Sequence, residues 1–179
     1  MKVLAIIGTS NTGKTTTLEY LVSNLVKKGF RIGSAKHVHH PNFTIDLEGK
    51  DTWRHTKAGA SRVVCLSEDE VAVMRKENGG AYTLEDILRL FKDEKFDLII
   101  LEGFHELVSN NKKIWKIVTA KDLEDVEKRL DETVSPIFAI TGKISNIIRR
   151  KSIREIPVID LKNEGVRLLN IITEQIIKT

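Results

Sequence analysis

The chain of 179 residues has one cysteine, three prolines and no long apolar run. A single cysteine cannot form an internal disulfide, which favours a reducing compartment. No apolar run approaches the roughly 18 residues of a membrane-spanning helix, and Met1–Ile7 is too short and too soon polar for a secretory signal. We therefore expect a cytoplasmic protein that does not enter a membrane. Cys65 lies in an apolar run, and we expect it to be buried.

Charge of one sign is not in strong excess. The chain has 29 Lys and Arg against 25 Asp and Glu, a net charge of +4, and both signs are mixed along its length. This balance suits a phosphorylated small ligand and argues against nucleic acid as a partner. No internal repeat, linker or low-complexity tract interrupts the sequence, so one domain over residues 1–179 is predicted.

Short apolar runs alternate with helical patterns, which predicts an α/β fold with a largely parallel, twisted central sheet flanked by helices. The predicted strands are residues 2–7, 30–36, 62–66, 71–74, 96–101, 113–119, 136–141 and 156–161, with a hairpin at 62–74 and a turn at Gly79-Gly80. The predicted helices are residues 16–28, 51–58, 83–92, 122–130 and 163–177, with Asp51 as an N-cap and Thr83 with Asp86 as a capping pair.

Between the first strand and the first helix, Gly8–Thr15 matches the pattern G-x-x-x-x-G-K-[ST]. The glycines allow backbone N–H groups to surround phosphate oxygens, Lys14 adds charge for the β- and γ-phosphates, and the Thr15 hydroxyl is a ligand for Mg²⁺. The motif in this position predicts a three-layer P-loop NTPase fold. The predicted phosphate-binding residues are Gly8, Thr9, Ser10, Asn11, Thr12, Gly13, Lys14, Thr15 and Thr16.

A carboxylate follows the most apolar predicted strand. Glu102 ends the run 96–101, and the carboxyl ends of parallel strands share the edge where ligands bind. We expect Glu102 near the phosphates, holding Mg²⁺ or its water. Asp97, at the start of the same strand, is expected at the opposite edge.

The segment Lys36–Asp46 is rich in cationic and imidazole side chains. Its histidines lack the spacing of a tight zinc site, and no cysteine is near. We interpret it as an anion pocket in which Lys36, His37 and His39 donate to phosphate, with Asp46 available to the magnesium shell. A polar surface loop is the alternative.

The residues leave the base of the nucleotide open, because no complete Asn-Lys-x-Asp motif is present. The basic stretch Lys143–Lys151 is either a solvated face or the lid of an ATP-dependent small-molecule kinase that uses Arg149 and Arg150. The residues alone do not decide between these two interpretations.

Four motifs together resemble the MobB family of molybdopterin-guanine dinucleotide biosynthesis. These are the loop Gly8–Thr15, the segment Lys36–His40 with Asp46, the stretch Gly49–Thr52 and the tripeptide Glu102–Phe104. The family often has an acidic residue where this chain has Pro41, and the resemblance is weak past residue 143.

The resemblance implies a GTP-binding protein with slow hydrolysis that assists conversion of molybdopterin (the Mo cofactor) to its guanine dinucleotide form. It implies GTP on Gly8–Thr15, and Mg²⁺ at Thr15 with Asp46 and Glu102 nearby. It also implies a homodimer and association with the guanylyltransferase MobA. Lys14 with Mg²⁺ then neutralises the γ-phosphate, and Asp46 or Glu102 orients water. A nucleotide-binding adapter without hydrolysis is the other reading.

Overall fold

The structure, a computed structural model, describes residues 1–40, 43–76, 82–148 and 150–178. It divides into two compact units, one formed by Met1–His37 with Thr83–Thr179 and the other by Val38–Tyr82. The expectation of one domain over residues 1–179 stays a prediction. Pro41, the predicted turn at Gly79-Gly80 and the predicted lid residue Arg149 lie outside the described residues.

In chain order the strands are β1 (Val3–Ile7), β2 (Ile32–Lys36), β3 (Arg62–Leu66), β4 (Val71–Arg75), β5 (Leu98–Glu102), β6 (Trp115–Thr119), β7 (Ile137–Thr141), β8 (Ser152–Ile153) and β9 (Ile156–Pro157). The helices are α1 (Lys14–Lys27), α2 (Asp51–Lys57), α3 (Leu84–Arg89), α4 (His105–Val108), α5 (Leu123–Asp131) and α6 (Leu161–Ile172). A 3₁₀ helix covers Lys143–Asn146, and a π-helical turn continues α6 over Thr173–Ile177. None of the helices in the described ranges is long and apolar enough to cross a membrane.

Five strands of the first unit form one parallel sheet in the order β2-β5-β1-β6-β7. The central strands β1 and β5 are buried along their whole length, as their continuous apolar runs require. All five strands therefore end at the same edge. The predicted α/β fold with a parallel central sheet is confirmed.

Alternate residues of β1 face opposite sides of the sheet and enter two separate cores. Leu4 and Ile6 pack with side chains from α1 and α6, whereas Ala5 and Ile7 pack with side chains from α4 and α5. Because side chains alternate along a strand, one apolar run supplies both layers. The result is the three-layer arrangement that the sequence predicts.

The second unit contains α2 and the antiparallel pair β3–β4, so the predicted hairpin is confirmed. Two expectations are wrong. Asp51 is the first residue of α2 rather than its N-cap, where Lys50 stands without a side-chain bond, and the carboxylate there still suits the helix dipole. Cys65 is exposed, because an apolar run is buried only where other elements cover its side chains, and in β3 only Val63 is buried.

The predicted strand 156–161 is mostly not a strand. β9 covers only two of its residues and pairs with β8, and Val158 then bridges to Ile140 of β7. The side chain of Asp160 accepts a hydrogen bond from the Lys162 N–H, which caps α6 and starts it earlier than the apolar pattern predicts.

Lys116 is a fully buried cation at the amino end of β6, away from the edge where the strands end. Its ammonium donates hydrogen bonds to the carbonyls of Asn111, Ile114 and Val134, at 2.7, 2.9 and 3.0 Å. Burial lowers its pKa. The three bonds use the whole donor capacity of the ammonium and join the segments that enter β6 and β7.

We expect Lys116→Met to lower the free energy of unfolding by about 2–4 kcal/mol, because it leaves three backbone carbonyls without their donor. Lys113→Met removes the same charge from an exposed position nearby and should change it by less than about 0.5 kcal/mol. Urea unfolding measures both. Equal unfolding midpoints for the two variants would contradict the role given to Lys116.

Candidate nucleotide-binding site

The loop between β1 and α1 passes directly over the end of β6. A Cβ atom built on Gly8 would lie 2.2 Å from the carbonyl oxygen of Thr119 and 2.3 Å from its hydroxyl oxygen. Gly13 precedes α1 with a φ of 105°, a left-handed conformation that glycine adopts without strain. Both motif glycines are therefore required by the backbone itself.

Two buried threonine hydroxyls hold the loop against the sheet. Oγ1 of Thr12 and Oγ1 of Thr119 lie 2.7 Å apart, and the Thr119 hydroxyl also lies 3.2 Å from the Ile7 carbonyl, to which it donates. Both side chains are fully buried. Thr12 occupies a variable position of the motif, so the pattern gives it no particular role.

The Lys14 ammonium lies back over the loop. It donates to the carbonyls of Gly8 and Thr9, at 3.0 and 2.5 Å. Burial is the main cause that lowers its pKa; Glu102 raises the pKa, and the neighbouring cations Lys36 and Arg129 lower it. A cation held by backbone carbonyls and crowded by other cations is well placed to accept an anion.

Glu102 is the buried carboxylate of the site. It is 5% exposed, and its Oε1 accepts a hydrogen bond from the Thr15 hydroxyl at 2.8 Å. The Lys36 ammonium lies 3.2 Å from the same oxygen. A hydroxyl beside a carboxylate is the hard-oxygen donor set that Mg²⁺ prefers, so these residues fit the predicted ion. Asp97 lies at the other end of β5, as predicted, where it accepts from the Arg31 N–H.

The remaining predicted residues are divided between the two units. His37 follows β2, its N–H donates to the Glu102 carbonyl at 2.9 Å, and its ring stacks on Phe104. His39 and Asp46 belong to the second unit, where the Thr52 hydroxyl donates to Asp46 at 2.9 Å. Ser10, Asn11, Thr15 and Thr16 are exposed on the loop and the first turn of α1. In the part of the chain that the structure describes, no three His, Cys, Asp or Glu side chains are grouped to hold a metal.

Asp125 is a loop contact that the sequence reasoning missed. Its Oδ2 accepts from the Thr9 hydroxyl at 3.0 Å and from the Lys121 N–H at 3.2 Å, and the residue is 7% exposed. Its own N–H donates to the Asp122 side chain in the first turn of α5. The spacing of Asp122 and Asp125 is typical of a helix start, but it does not predict the contact with Thr9, which is 116 residues away in the sequence.

Gly142 packs against the loop from the end of β7. A Cβ atom there would lie 2.1 Å from the Thr12 carbonyl oxygen, and the residue has φ 92° and ψ −155°, a region that only glycine occupies freely. The Lys143 N–H donates to the same Thr12 carbonyl. Three strand ends, from β1, β6 and β7, thus determine the position of the loop.

We expect Gly142→Ala to destabilise the protein by about 2–4 kcal/mol and to abolish nucleotide binding, because the added methyl displaces the loop. Gly29→Ala is the control: Gly29 has a φ of 89° with open space around it, so only the backbone strain of about 1–2 kcal/mol applies. Urea unfolding and titration with GTP and ATP measure the two effects. If Gly142→Ala is as stable as Gly29→Ala and binds nucleotide, the loop is not held as described.

Comparisons with known proteins report the same fold. The family described as "MobB: Molybdopterin guanine dinucleotide synthesis protein B" matches residues 3–140. Two similar proteins are named molybdopterin-guanine dinucleotide biosynthesis adapter protein. The one from Haemophilus influenzae is 38% identical over 58% of this chain and 57% of its own length. The one from Escherichia coli is 35% identical over 67% of this chain and 66% of its own length. The chain thus spans less than two thirds of each relative.

The crystal structure of Bacillus subtilis MobB superposes with a TM-score of 0.76, at 20% identity, over 98% of both chains. A MobB homolog from Bacillus stearothermophilus superposes with a TM-score of 0.70, at 20% identity, over 97% of both. These likenesses establish the fold. The family match covers the phosphate-binding loop, Glu102 and four of the five strands in full, and the chain belongs to the MobB family.

Proposed function

We propose that this chain is a GTP-binding P-loop protein that assists conversion of molybdopterin, as Mo cofactor, to its guanine dinucleotide form. Its direct partner in this proposal is the guanylyltransferase MobA. The observation that carries the proposal is the loop Gly8–Thr15 with Thr15 hydrogen-bonded to buried Glu102, in a chain of the MobB family. The names of the relatives support the pathway and an adapter role.

The side chains of the loop have separate tasks in this proposal. The Lys14 ammonium exchanges the carbonyls of Gly8 and Thr9 for phosphate oxygens, because a bond between two charged groups is stronger. The Thr15 hydroxyl oxygen and Glu102 hold the magnesium shell. When bound, Mg²⁺ supplies charge neutralisation of the β- and γ-phosphates. Glu102 orients the attacking water, and the same role for Asp46 stays a prediction.

An anion pocket for the pterin phosphate is the proposed role of Lys36 and His37, and a part of His39 in it stays a prediction. The exposed Lys36 side chain, 58% accessible, is paired on one side with Glu102 and open to a second anion on the other. His37 is oriented by its backbone bond to Glu102 and by the Phe104 ring. Bound nucleotide and bound pterin would then be linked through Glu102.

A nucleotide-binding adapter without hydrolysis is the second candidate, because the relatives are named adapter proteins. Single-turnover hydrolysis of GTP, alone and with MobA, separates the two. Slow turnover supports the GTPase. Zero turnover under both conditions leaves only the adapter.

We expect Thr15→Val to lose the gain in GTP affinity that Mg²⁺ provides, which should be about 10-fold or more in the unaltered chain. Thr15→Ser keeps the hydroxyl and should keep the gain. Titration with GTP in Mg²⁺ and in EDTA measures it, and the yield of guanine dinucleotide with purified MobA and Mo cofactor measures its consequence. A Thr15→Val chain that retains both the Mg²⁺-dependent gain in GTP affinity and the full yield of guanine dinucleotide would contradict the proposed magnesium site.

A homodimer is part of the proposal, and one apolar face supports it. Val64 and Leu66 of β3 and Val71 and Val73 of β4 alternate onto one face of the hairpin, and all four are 50% or more exposed. An isolated two-stranded sheet is marginally stable, so a second copy that covers this face stabilises both.

We expect Val73→Lys to shift the protein from dimer to monomer, because it places a charge in the apolar face. Val166→Lys changes a valine that is as exposed, on α6, and should leave the dimer intact. Light scattering coupled to gel filtration reports the mass. A monomeric unaltered protein, or a dimeric Val73→Lys variant, would rule this interface out.

A further inference from the structure

Arg129 of α5 is a largely buried cation that the proposed site leaves unused. Its side chain is 16% exposed, and one terminal nitrogen donates to Glu132 at 2.9 Å. Its Nε is buried and has no hydrogen-bond partner among the described residues. Because a buried N–H without a partner is destabilising, such a group indicates strain or a missing ligand.

α5 is attached to the phosphate-binding loop one turn before Arg129. Asp125 accepts the hydrogen bond from the Thr9 hydroxyl, and Arg129 stands four residues later on the same helix face. Helical side chains lean toward the helix N-terminus, and one turn rises only about 5.4 Å. Arg129 therefore stands on the side of α5 that contacts the loop.

The charges around Arg129 agree with this placement. Its positive charge is one of the causes that lower the pKa of Lys14, so the two cations lie near each other, and Glu102 and Asp125 are the anions that act on Lys14. On the other side, Glu132 lies 3.5 Å from the His105 ring, which follows β5. Burial lowers the pKa of His105, and Arg129 lowers it further. Glu132 is thus the counter-ion that holds Arg129 beside the site.

We propose that Arg129 is a phosphate-binding residue. Its guanidinium gives up the ion pair with Glu132 and contacts the terminal phosphate of a bound nucleoside triphosphate. This inference rests on the proposed nucleotide site but not on the identity of the base. The planar guanidinium suits two phosphate oxygens at once, and a cation at the γ-phosphate favours triphosphate over diphosphate. The chain then carries its own arginine for the transferred phosphate.

The test compares affinities for GTP and GDP, and for ATP and ADP, in Mg²⁺ with the full chain. Arg129→Gln should raise the Kd for the triphosphate about 10-fold or more and change the Kd for the diphosphate by less than about 2-fold. Lys128→Gln removes a charge from the adjacent, exposed position and should change neither. A purely structural role would weaken both nucleotides alike, so the ratio of the two affinities is the decisive readout.

Glu132→Gln breaks the same ion pair without removing the arginine. The Glu132→Gln variant should keep the preference for triphosphate over diphosphate of the unaltered chain. If this preference falls to that of Arg129→Gln, only the ion pair matters and the inference is overturned. Equal losses for both nucleotides in Arg129→Gln, or no loss, would also overturn it. An unaltered chain that binds neither nucleotide overturns both this inference and the proposed function; a preference for adenine nucleotides with the same ratios overturns only the GTP assignment.

Discussion

The close approach of the phosphate-binding loop to the ends of β6 and β7 is the constraint on which the site depends. Gly8 meets Thr119 and Gly142 meets Thr12 at distances that no Cβ atom allows. The buried Thr12–Thr119 hydroxyl pair closes this contact. A parallel sheet brings these strand ends to one edge, and their contacts with the loop determine its position.

Around this loop the carboxylates have hydrogen-bond partners, whereas one cation, Lys14, has no carboxylate partner among the described residues. Glu102 is shared by Thr15 and Lys36, and Asp125 is bound to Thr9. Among the residues that the structure describes, Lys14 donates only to neutral carbonyls. A polyphosphate would satisfy the cation that the protein itself leaves without a carboxylate at hydrogen-bond distance. Because the cation already lies at the loop, phosphate binding requires only that its side chain exchange the two carbonyls for phosphate oxygens.

The parts of the fold that burial determines were predictable. Continuous apolar runs located the five sheet strands to within about two residues, and the P-loop pattern located the loop between β1 and α1 at the edge where the strands end. Contacts between distant residues were not predictable: Asp125 and Arg129 stand in a charged helical stretch that is typical of a solvated face. Cys65 shows the converse, because an apolar run predicts burial only where other elements cover it. The roles of Lys36, His39 and Asp46 stay predictions.

Competitive binding of GTP against ATP, with and without Mg²⁺, tests the central claim most directly. If the chain is the GTP-binding member of molybdopterin-guanine dinucleotide synthesis proposed above, GTP displaces ATP at equal concentration, and Mg²⁺ strengthens its binding. A clear preference for ATP, or binding of GTP that Mg²⁺ does not affect, would contradict the account.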